Sequence, residues 1–554
     1  MSYTYPGVYI EEIPSGVHAI TGVSTSNTAF VDFFARGPVD QAVEITSYGD
    51  FERIFGGLDV RSDASYAVLQ YYLNGGQIAF VVRVVSGAQT ASGWLAAGYG
   101  GQPTLQVSAA SPGAWGNNIQ VAISGADPKA LAVDPSLFNL VVREAVPTNG
   151  VLKIASVETY RNLSLSMNSP RYAPNVIKNS SSLIALTDGG IGQAPSATPG
   201  DPIGKPNDPG TVWTALSQLS TPKPGGDGIT PPAPGSVATS TWPSTDGAVA
   251  LLGDQSLHTG MYALDRIEPA IFNILCIPAA AALQDDKPSD GFTSVYGKAE
   301  SYCDSKRAFL IVDIPLTVDK PAAMLTWMTD PNTGHDDLRD KNGAVYFPRL
   351  VMPDPLNPSQ PRNVGASGTL AGVYARTDST RGVWKAPAGV EATLAGVDVA
   401  VRMTDLENGE LNPLGINILR NFPIYGQVSW GARTLEGADQ IASEWKYIPV
   451  RRLALFIEES LYDGTKWAVF EPNDEGLWAQ LRMNIGTFMH DLFRREAFQG
   501  STPNEAYFVK CDKDTTTSSD QNLGIVNVVV GFAPLKPAEF VVIRIQQLAG
   551  QSAS

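Results

Sequence analysis

The end of the chain alternates hydrophobic and polar positions with a period of two. From Phe540 to Leu548, Val541, Ile543 and Ile545 fall on one side of an extended chain, and Val542, Arg544 and Gln546 fall on the other. This alternation predicts a half-buried β-strand. An unpaired strand exposes backbone N–H and C=O groups, so we expect it to pair with another strand. One candidate is an internal hairpin with "NVVVGF" across "APLKPAE", and the other is a strand outside this domain.

A second short extended segment lies near the start of the sequence. The stretch "YPGVYIEEIPSG" predicts a strand over Tyr5–Ile13, with Pro6-Gly7 and Pro14-Ser15-Gly16 around it. No helix or strand pattern adjoins it closely. Two isolated strands at the two ends are most simply explained if each is donated to another subunit. Because a donated strand and its receiving edge are different surfaces, such contacts build rings or helical polymers.

The predicted secondary structure changes three times along the middle of the chain. Residues 21–102 mix strands with a helix over "SDASYAVLQYYL", and residues 103–191 predict short strands separated by turns. Residues 192–250 are so rich in proline and glycine that we expect a linker or a long surface loop. From 251 to 371, apolar strands alternate with helices, which predicts βαβ units and a parallel sheet. The overall fold class is therefore α/β and α+β with several domains.

Composition indicates a globular protein made and folded in a cytoplasm. The 554 residues are 43% hydrophobic and 17% charged, with a net charge of −16. This acidity argues against nucleic acid or an anionic membrane as the main partner. The longest apolar run, "IFNILCIPAAAAL", is too short to span a bilayer, and no signal peptide is predicted. Cys276, Cys303 and Cys511 lack the spacing of a disulfide framework or a metal site.

The search for catalytic chemistry identifies one arrangement to test. Asp313, His335 and Ser367 follow the chain order of subtilisin-type proteases. The local sequence motifs around the histidine and the serine are missing, so we expect Asp313 to be a solvated residue at a strand end. No phosphate-binding loop, zinc motif or calcium loop is complete, so the sequence predicts no catalytic residue, no metal site and no cofactor.

Several stretches together resemble the tail sheath proteins of contractile phage tails and related injection systems. They are "YPGVYIEE", "TAFVDFFARGP", "YYLNGGQIAFVVRV", "SPGAWGNNIQV", "GVYARTDSTRGVWKAPAG", "NFPIYGQVSWGARTL", "WKYIPVRRLALFIEESL", "FEPNDEGLW" and "GFAPLKPAEFVV". They occur in order over residues 5 to 542. The resemblance implies a structural subunit that stacks as six-fold rings around an inner tube and contracts to drive the tube through a target envelope.

The resemblance also assigns a role to each part of the chain. It implies an N-terminal linking arm (1–20), an N-terminal part of the sheath core (21–102), a mostly-β outer domain (103–191), a linker or loop (192–250), a subtilisin-like α/β domain without protease activity (251–371), a C-terminal sheath domain (372–537) and a C-terminal linking arm (538–554). The arm residues expected to link subunits are Tyr5, Val8, Tyr9, Ile10, Ile13, Phe540, Val541, Val542, Ile543, Ile545 and Leu548.

The implied partners are other proteins of the same particle. They are further copies of this chain, an inner tube protein, a baseplate and a terminator or cap, with no nucleic acid and no direct membrane insertion. A helix over 477–496 is implied to face the tube through Arg482, Arg494 and Arg495, and a solvated face is the alternative. Assembly is expected in a bacterial cytoplasm, in a phage tail or a tail-like particle. The competing functions are a non-contractile, capsid-like shell protein and a subtilisin-like hydrolase.

Overall fold

The computed structural model describes residues 18–96, 101–148, 151–228, 244–283, 291–332 and 334–544. The strands are β1 (Thr28–Asp32), β2 (Ala42–Ile45), β3 (Ala79–Arg83), β4 (Ser92–Ala96), β5 (Pro103–Ala109), β6 (Ile119–Gly125), β7 (Phe138–Thr148), β8 (Val151–Leu163), β9 (Ile184–Asp188), β10 (Thr214–Ala215), β11 (Ser220–Lys223), β12 (Ile274–Cys276), β13 (Phe309–Val312), β14 (Gly343–Phe347), β15 (Leu350–Pro353), β16 (Pro361–Val364), β17 (Asp398–Val399), β18 (Ile416–Phe422), β19 (Gly426–Ser429), β20 (Tyr507–Lys510) and β21 (Val529–Phe532).

The helices are α1 (Tyr48–Phe55), α2 (Asp63–Leu73), α3 (Pro128–Leu131), α4 (Ala173–Ser180), α5 (Ser244–Leu252), α6 (Gly291–Lys306), α7 (Pro321–Thr329), α8 (Ser367–Arg381), α9 (Asp405–Leu411), α10 (Ile448–Gly464), α11 (Glu475–Arg494), α12 (Pro503–Ala506) and α13 (Ser518–Asn522). Strands and helices alternate in part of the chain and segregate elsewhere. The protein therefore has a mixed α/β fold with more than one domain.

An eight-stranded sheet forms the centre, in the order β19-β18-β14-β13-β12-β1-β3-β2. The inner strands run parallel, and β2 and β19 are antiparallel edge strands. Helices cover both faces. One hydrophobic core lies under α5, α6 and α7, and the other lies under α1, α2 and α8. Because both faces are buried, the parallel strands carry the continuous apolar runs seen in the sequence.

The central sheet crosses the predicted domain boundaries. It joins strands from 21–102, from 251–371 and from the following segment, and the predicted boundary at 371/372 falls inside α8. Parallel neighbours are connected by long crossovers, so strands far apart in the chain can lie side by side. The boundary at 102/103 is also displaced, because β4 pairs with β5 and belongs to the next unit.

That next unit is β-rich. Two four-stranded sheets, β10-β6-β7-β8 and β11-β4-β5-β9, enclose their own hydrophobic core. The prediction of a linker over 192–250 is wrong in part, since β10 and β11 add edge strands and Leu216 is fully buried in this core. The many prolines favour loops over strands in this stretch. An edge strand nevertheless tolerates proline, because its outward side needs no N–H donor. Residues 229–243 lie outside the described part of the chain.

Two element predictions are also corrected. The run "AVYFPRLVMP" is not one strand: β14 ends at Phe347, and β15 joins β16 and β17 in a separate sheet. Pro348 lacks the N–H that a continuous ladder needs. The sequence favours a helix over 438–462 with a break before Pro449, and only the second part is helical in the structure: α10 begins at Ile448, with Pro449 in its first turn. Proline is favoured there because its missing N–H has no partner within the helix.

Candidate functional site

The trio with the protease order does not form a hydrolytic site. The hydroxyl of Ser367 donates to Asp313 Oδ2 at 2.5 Å, and the backbone N–H of Ser367 donates to Asp313 Oδ1 at 2.9 Å. His335 packs elsewhere, with ring centroids 4.7 Å from Trp327 and 5.0 Å from Phe292. A nucleophilic serine needs its proton directed toward a base that can pass it on, in a place that substrate reaches.

All three side chains are buried, which overturns the expectation that Asp313 is solvated. Ser367 and His335 are fully buried and Asp313 is 2% exposed. Burial raises the pKa of Asp313, and the hydrogen bonds from Ser367 oppose that shift. Since Ser367 is the first residue of α8, the carboxyl group satisfies an N–H that the helix leaves unpaired. Asp313 therefore fixes the start of a helix.

Ser367→Ala is expected to change stability. The substitution removes one hydrogen bond to a fully buried carboxyl group, which costs about 1–3 kcal/mol of unfolding free energy. Thermal melts of the unassembled protein measure the loss. Ser379→Ala is the matched control, because that hydroxyl is exposed and bonds within its own helix. A variant as stable as wild type would contradict the structural role of the pair.

Another buried acid, Glu300 on α6, makes stability depend on pH. Glu300 is 7% exposed, and its Oε1 has no hydrogen-bond partner in the described residues. Burial, with Asp340 and Asp337 nearby, raises its pKa from 4.5 to about 8. Below pH 4.5 both folded and unfolded states hold the proton. Between pH 4.5 and 8 only the folded state holds it, so stability falls as the pH rises through that window.

Glu300→Gln is expected to remove this pH dependence. Glutamine keeps the shape of the protonated acid and does not titrate, so the variant should gain up to about 3 kcal/mol over wild type at pH 7 and little at pH 4.5. Melting temperatures of both proteins at pH 4.5, 6 and 7.5 measure the difference. If the two melting curves shift in parallel over this range, Glu300 is not the titrating group.

The C-terminal part of the chain is built on two long helices and a small sheet. Leu453 and Ile457 of α10 pack against Ile485, Phe488 and Met489 of α11. Asp474 caps α11, accepting from the N–H of Leu477 at 3.1 Å. Among the described residues, the sheet over this core consists of β20 and β21, paired antiparallel. Two-stranded ribbons are marginally stable alone.

The predicted C-terminal strand leaves this sheet. Residues 535–544 form no helix or strand and pair with no strand in the described part of the chain, so the internal-hairpin alternative is wrong. β21 pairs with β20 instead. Phe540, Val541, Val542 and Ile543 are 76%, 81%, 77% and 79% exposed. The other arm residues, Tyr5, Val8, Tyr9, Ile10, Ile13, Ile545 and Leu548, lie outside the described residues.

An ion pair fixes the residue immediately before the exposed segment. Arg433 Nε donates to Glu539 Oε1 at 2.8 Å, and Arg433 Nη2 donates to Glu539 Oε2 at 2.7 Å. The Tyr447 hydroxyl donates to the same carboxylate at 3.3 Å. Arg433 is 1% exposed and also bonds Asp439 at 2.9 Å. We call this arrangement the Glu539 clamp, and it holds the root of the segment against its own domain.

The sequence did not single out the Glu539 clamp. The only available signal was an arginine in the otherwise uncharged stretch "GQVSWGARTL". A bidentate arginine–carboxylate pair fixes both distance and orientation. The clamp therefore determines where Phe540 leaves the domain.

The three arginines proposed to face a tube have different surroundings. Arg482 pairs with Glu475 at 2.6 Å and also donates to the carbonyl of Cys511. Arg495 lies over the ring of Trp384, 5.1 Å from its centroid. Arg494 is exposed, and no ion pair engages it among the described residues. These arginines do not form one cluster of free charges.

Membrane and metal sites were sought in the same described residues. None of the helices there is long and apolar enough to cross a bilayer. No group of three or more His, Cys, Asp or Glu side chains there is arranged to hold a metal ion. The fold and this geometry define a multidomain α/β protein that presents an exposed, clamped apolar segment.

Comparison with known proteins finds similarity to tail sheath proteins. Residues 441–547 match the family model of the phage tail sheath C-terminal domain. The tail sheath protein of Vibrio phage KVP40 is 28% identical over 333 residues, which cover 55% of this chain and 47% of that protein. The chain therefore spans about half the length of this curated relative.

Solved structures show the same fold over nearly the whole chain. The helical sheath of the anti-feeding prophage in its contracted state is 23% identical, with a TM-score of 0.52, and covers 99% of this chain and 100% of that one. The contracted sheath complex of the extracellular contractile injection system PVC is 20% identical, with a TM-score of 0.52, covering 99% and 98%. A sheath tail protein from Listeria innocua is 14% identical, with a TM-score of 0.54, covering 93% and 96%.

Proposed function

We propose that this protein is a structural sheath subunit that polymerises as stacked six-fold rings around an inner tube and contracts to drive the tube through a target envelope. The observation that carries the proposal is the segment Phe540–Ile543, apolar and exposed, which leaves a domain of the tail sheath family from a fixed root. An apolar segment with an alternating pattern is stable in water only when another strand covers it.

The receiving surface in this proposal is the two-stranded sheet of a neighbouring copy. β20 and β21 each pair on one side only among the described residues, and Phe508 and Val529 are 49% and 46% exposed. Strands donated by neighbours, 540–548 from one copy and 5–13 from another, would extend this sheet. Two such links per subunit connect it in two directions, so weak contacts sum to a strong lattice.

In this scheme, contraction changes how the subunits are arranged, while the donated strands stay paired with their neighbours. Interfaces repack between two discrete arrangements as rings rotate, rise and widen. The tether at Pro14–Gly16 supplies one hinge. The expected hinge at Pro534–Pro537 shifts to the backbone after Glu539, because Pro534 and Glu539 are both held on their own domain. The Glu539 clamp thus fixes the residue before the strand while the strand is held by another copy.

The tube contact is assigned to the exposed end of α11. Arg494 is the best placed of the three arginines, since Arg482 and Arg495 already contact Glu475 and Trp384. A contact between exposed charges is weak and reversible, as a surface that must slide during contraction requires.

In this proposal the α/β part and the β-rich unit are structural parts of the particle and catalyse no reaction. The α/β part resembles the subtilisin-like domain of the family without its activity, and the β-rich unit would decorate the outer surface. The partners are an inner tube protein, a baseplate and a cap, with assembly in a bacterial cytoplasm. The particle is a phage tail, a tail-like bacteriocin or an injection system.

Negative-stain microscopy of the purified protein tests the proposal. Hollow striated tubes, formed by the protein alone or after addition of the inner tube protein, are the expected result. Discrete closed shells would favour the capsid-like alternative instead. Monodisperse particles in both conditions would overturn the sheath assignment.

A further inference from the structure

An open groove lies beside the Glu539 clamp at the C-terminal end of α11. It encloses about 670 Å³. One wall is the loop after α8, with Trp384 and Lys385, and another is the segment 535–540. Arg495 and Trp430 complete the lining, and Trp430 is 40% exposed. The groove thus combines flat aromatic surface with basic side chains.

Positive charge in this groove exceeds negative charge, although the whole chain has a net charge of −16. The basic lining residues are Arg381, Lys385, Arg495 and Lys536, and the acidic ones are Glu496 and Glu539. Glu539 is neutralised by Arg433 and Arg381 by Glu391, which leaves Lys385, Arg495 and Lys536 against Glu496. Burial lowers the pKa of Lys385, whose ammonium group bonds the loop carbonyls of Ala386 and Ala388. Carboxylates placed here would gain charge-assisted hydrogen bonds.

We propose that this groove binds the Glu11–Glu12 pair of a second copy of the chain. The inference rests on the proposed function, in which residues 5–13 are donated to a neighbouring copy. It names the contact made by the residues at the end of that donated strand. In an extended chain successive side chains point to opposite sides. Two adjacent glutamates can therefore contact opposite walls of the groove. Tyr5 and Tyr9 in the same segment suit the exposed part of Trp430.

The groove also continues the surface on which donated strands would lie. β21 ends at Phe532, Pro534 bridges to Phe498, and the chain then forms the groove wall from Leu535 onward. A strand paired parallel to β21 would therefore carry its following residues toward the groove. The sequence order fits, because Glu11 and Glu12 directly follow Val8–Ile10.

The position of His18 argues against the chain's own glutamates. His18 stacks on Trp467 with 4.1 Å between ring centroids, and Trp467 packs against Trp478 near the start of α11. From Trp478 to Arg495 the helix rises about 25 Å. Glu12 precedes His18 by six residues, which span about 20 Å when fully extended. The chain's own Glu12 would reach the groove only with a fully extended backbone and extended side chains, so a second copy is the better placed donor.

The other acidic stretch outside the described ranges is a poorer occupant. Residues 284–290 contain three aspartates. Their flanking residues, Leu283 and Gly291, are both buried, and Leu283 belongs to the core under α6. That core contributes no residue to the groove lining.

A peptide-binding measurement tests the contact without requiring polymerisation. The probe is a fluorescent peptide of residues 1–17, and the receiver is the full-length protein carrying Glu11→Gln and Glu12→Gln. We expect saturable binding that weakens about tenfold when the receiver also carries Arg495→Glu and Lys536→Glu, or when the peptide carries the two glutamines. A receiver with Lys298→Glu and Lys513→Glu has the same net charge and should bind like the parent. Equal affinities in all pairings would overturn the inference.

A charge swap in the polymerisation assay identifies the second copy as the donor. Full-length protein with Glu11→Arg and Glu12→Arg should not assemble, and neither should protein with Arg495→Glu and Lys536→Glu. Both changes in one chain, or a mixture of the two single variants, should restore polymers. Circular dichroism confirms that each variant is folded. Restoration in the single chain and not in the mixture would assign the contact to one chain and overturn the inference.

The two proposals fail separately. If wild-type protein never polymerises but the peptide binds as expected, the sheath function fails and the groove contact holds. If wild-type protein polymerises and the groove variants assemble and bind peptide like wild type, the groove contact alone fails.

Discussion

Deletion of residues 540–554 is expected to abolish polymerisation and to leave a folded, unassembled protein. Phe540 to Ile543 are more than three-quarters exposed, so removing them takes almost nothing from the core of their own domain. What the deletion removes is the strand that would pair with a neighbour. Because every subunit donates one such strand, its loss removes one of the two links of each subunit at once. Microscopy and size-exclusion chromatography measure the polymer, and circular dichroism measures the fold.

A shorter deletion provides the control. Removing only 549–554 leaves the whole predicted strand, Phe540–Leu548, and should leave polymerisation intact. An unfolded product after deletion of 540–554 would show that the strand stabilises its own domain. Polymers of normal appearance after that deletion would show that this strand does not link subunits.

Local patterns predicted local structure well. The apolar stripe Leu477, Leu481, Ile485, Phe488 and Leu492 is buried along one side of α11, and Asp474 caps the helix. Helical periodicity and capping depend on residues within a few positions of one another, so the sequence shows them directly. The same holds for α2, which the sequence predicts over "SDASYAVLQYYL".

Long-range arrangements were not predictable from those patterns. Nothing in the alternation of residues indicates that β1 lies between β3 and β12, because parallel pairing leaves no mark on the connecting sequence. Asp313 was expected in solvent since it ends a strand, but α8 begins directly over it. The Glu539 clamp joins residues 106 positions apart. Such pairs are determined by the tertiary fold.

Arg433→Met is expected to lower the unfolding free energy of the C-terminal domain by about 3–5 kcal/mol. Arg433 is 1% exposed and holds Glu539, Asp439 and the carbonyl of Asn412. Methionine fills part of the volume but leaves Glu539 without its cation, whereas Asp439 keeps Lys446. Glu539→Gln should cost less, because Arg433 keeps Asp439. Chemical denaturation of the unassembled protein, followed by tryptophan fluorescence, measures both.

The double variant distinguishes a specific pair from general packing. If Arg433 and Glu539 act mainly on each other, the loss in the double variant is smaller than the sum of the two single losses. Arg53→Met is the matched control: its pair with Asp50 is exposed, so the change should cost less than about 1 kcal/mol. Glu539→Gln should also weaken polymerisation while leaving the strand in place, because the root of the arm is no longer held. Additive losses with unchanged polymerisation would show that the clamp is ordinary packing and does not direct the arm.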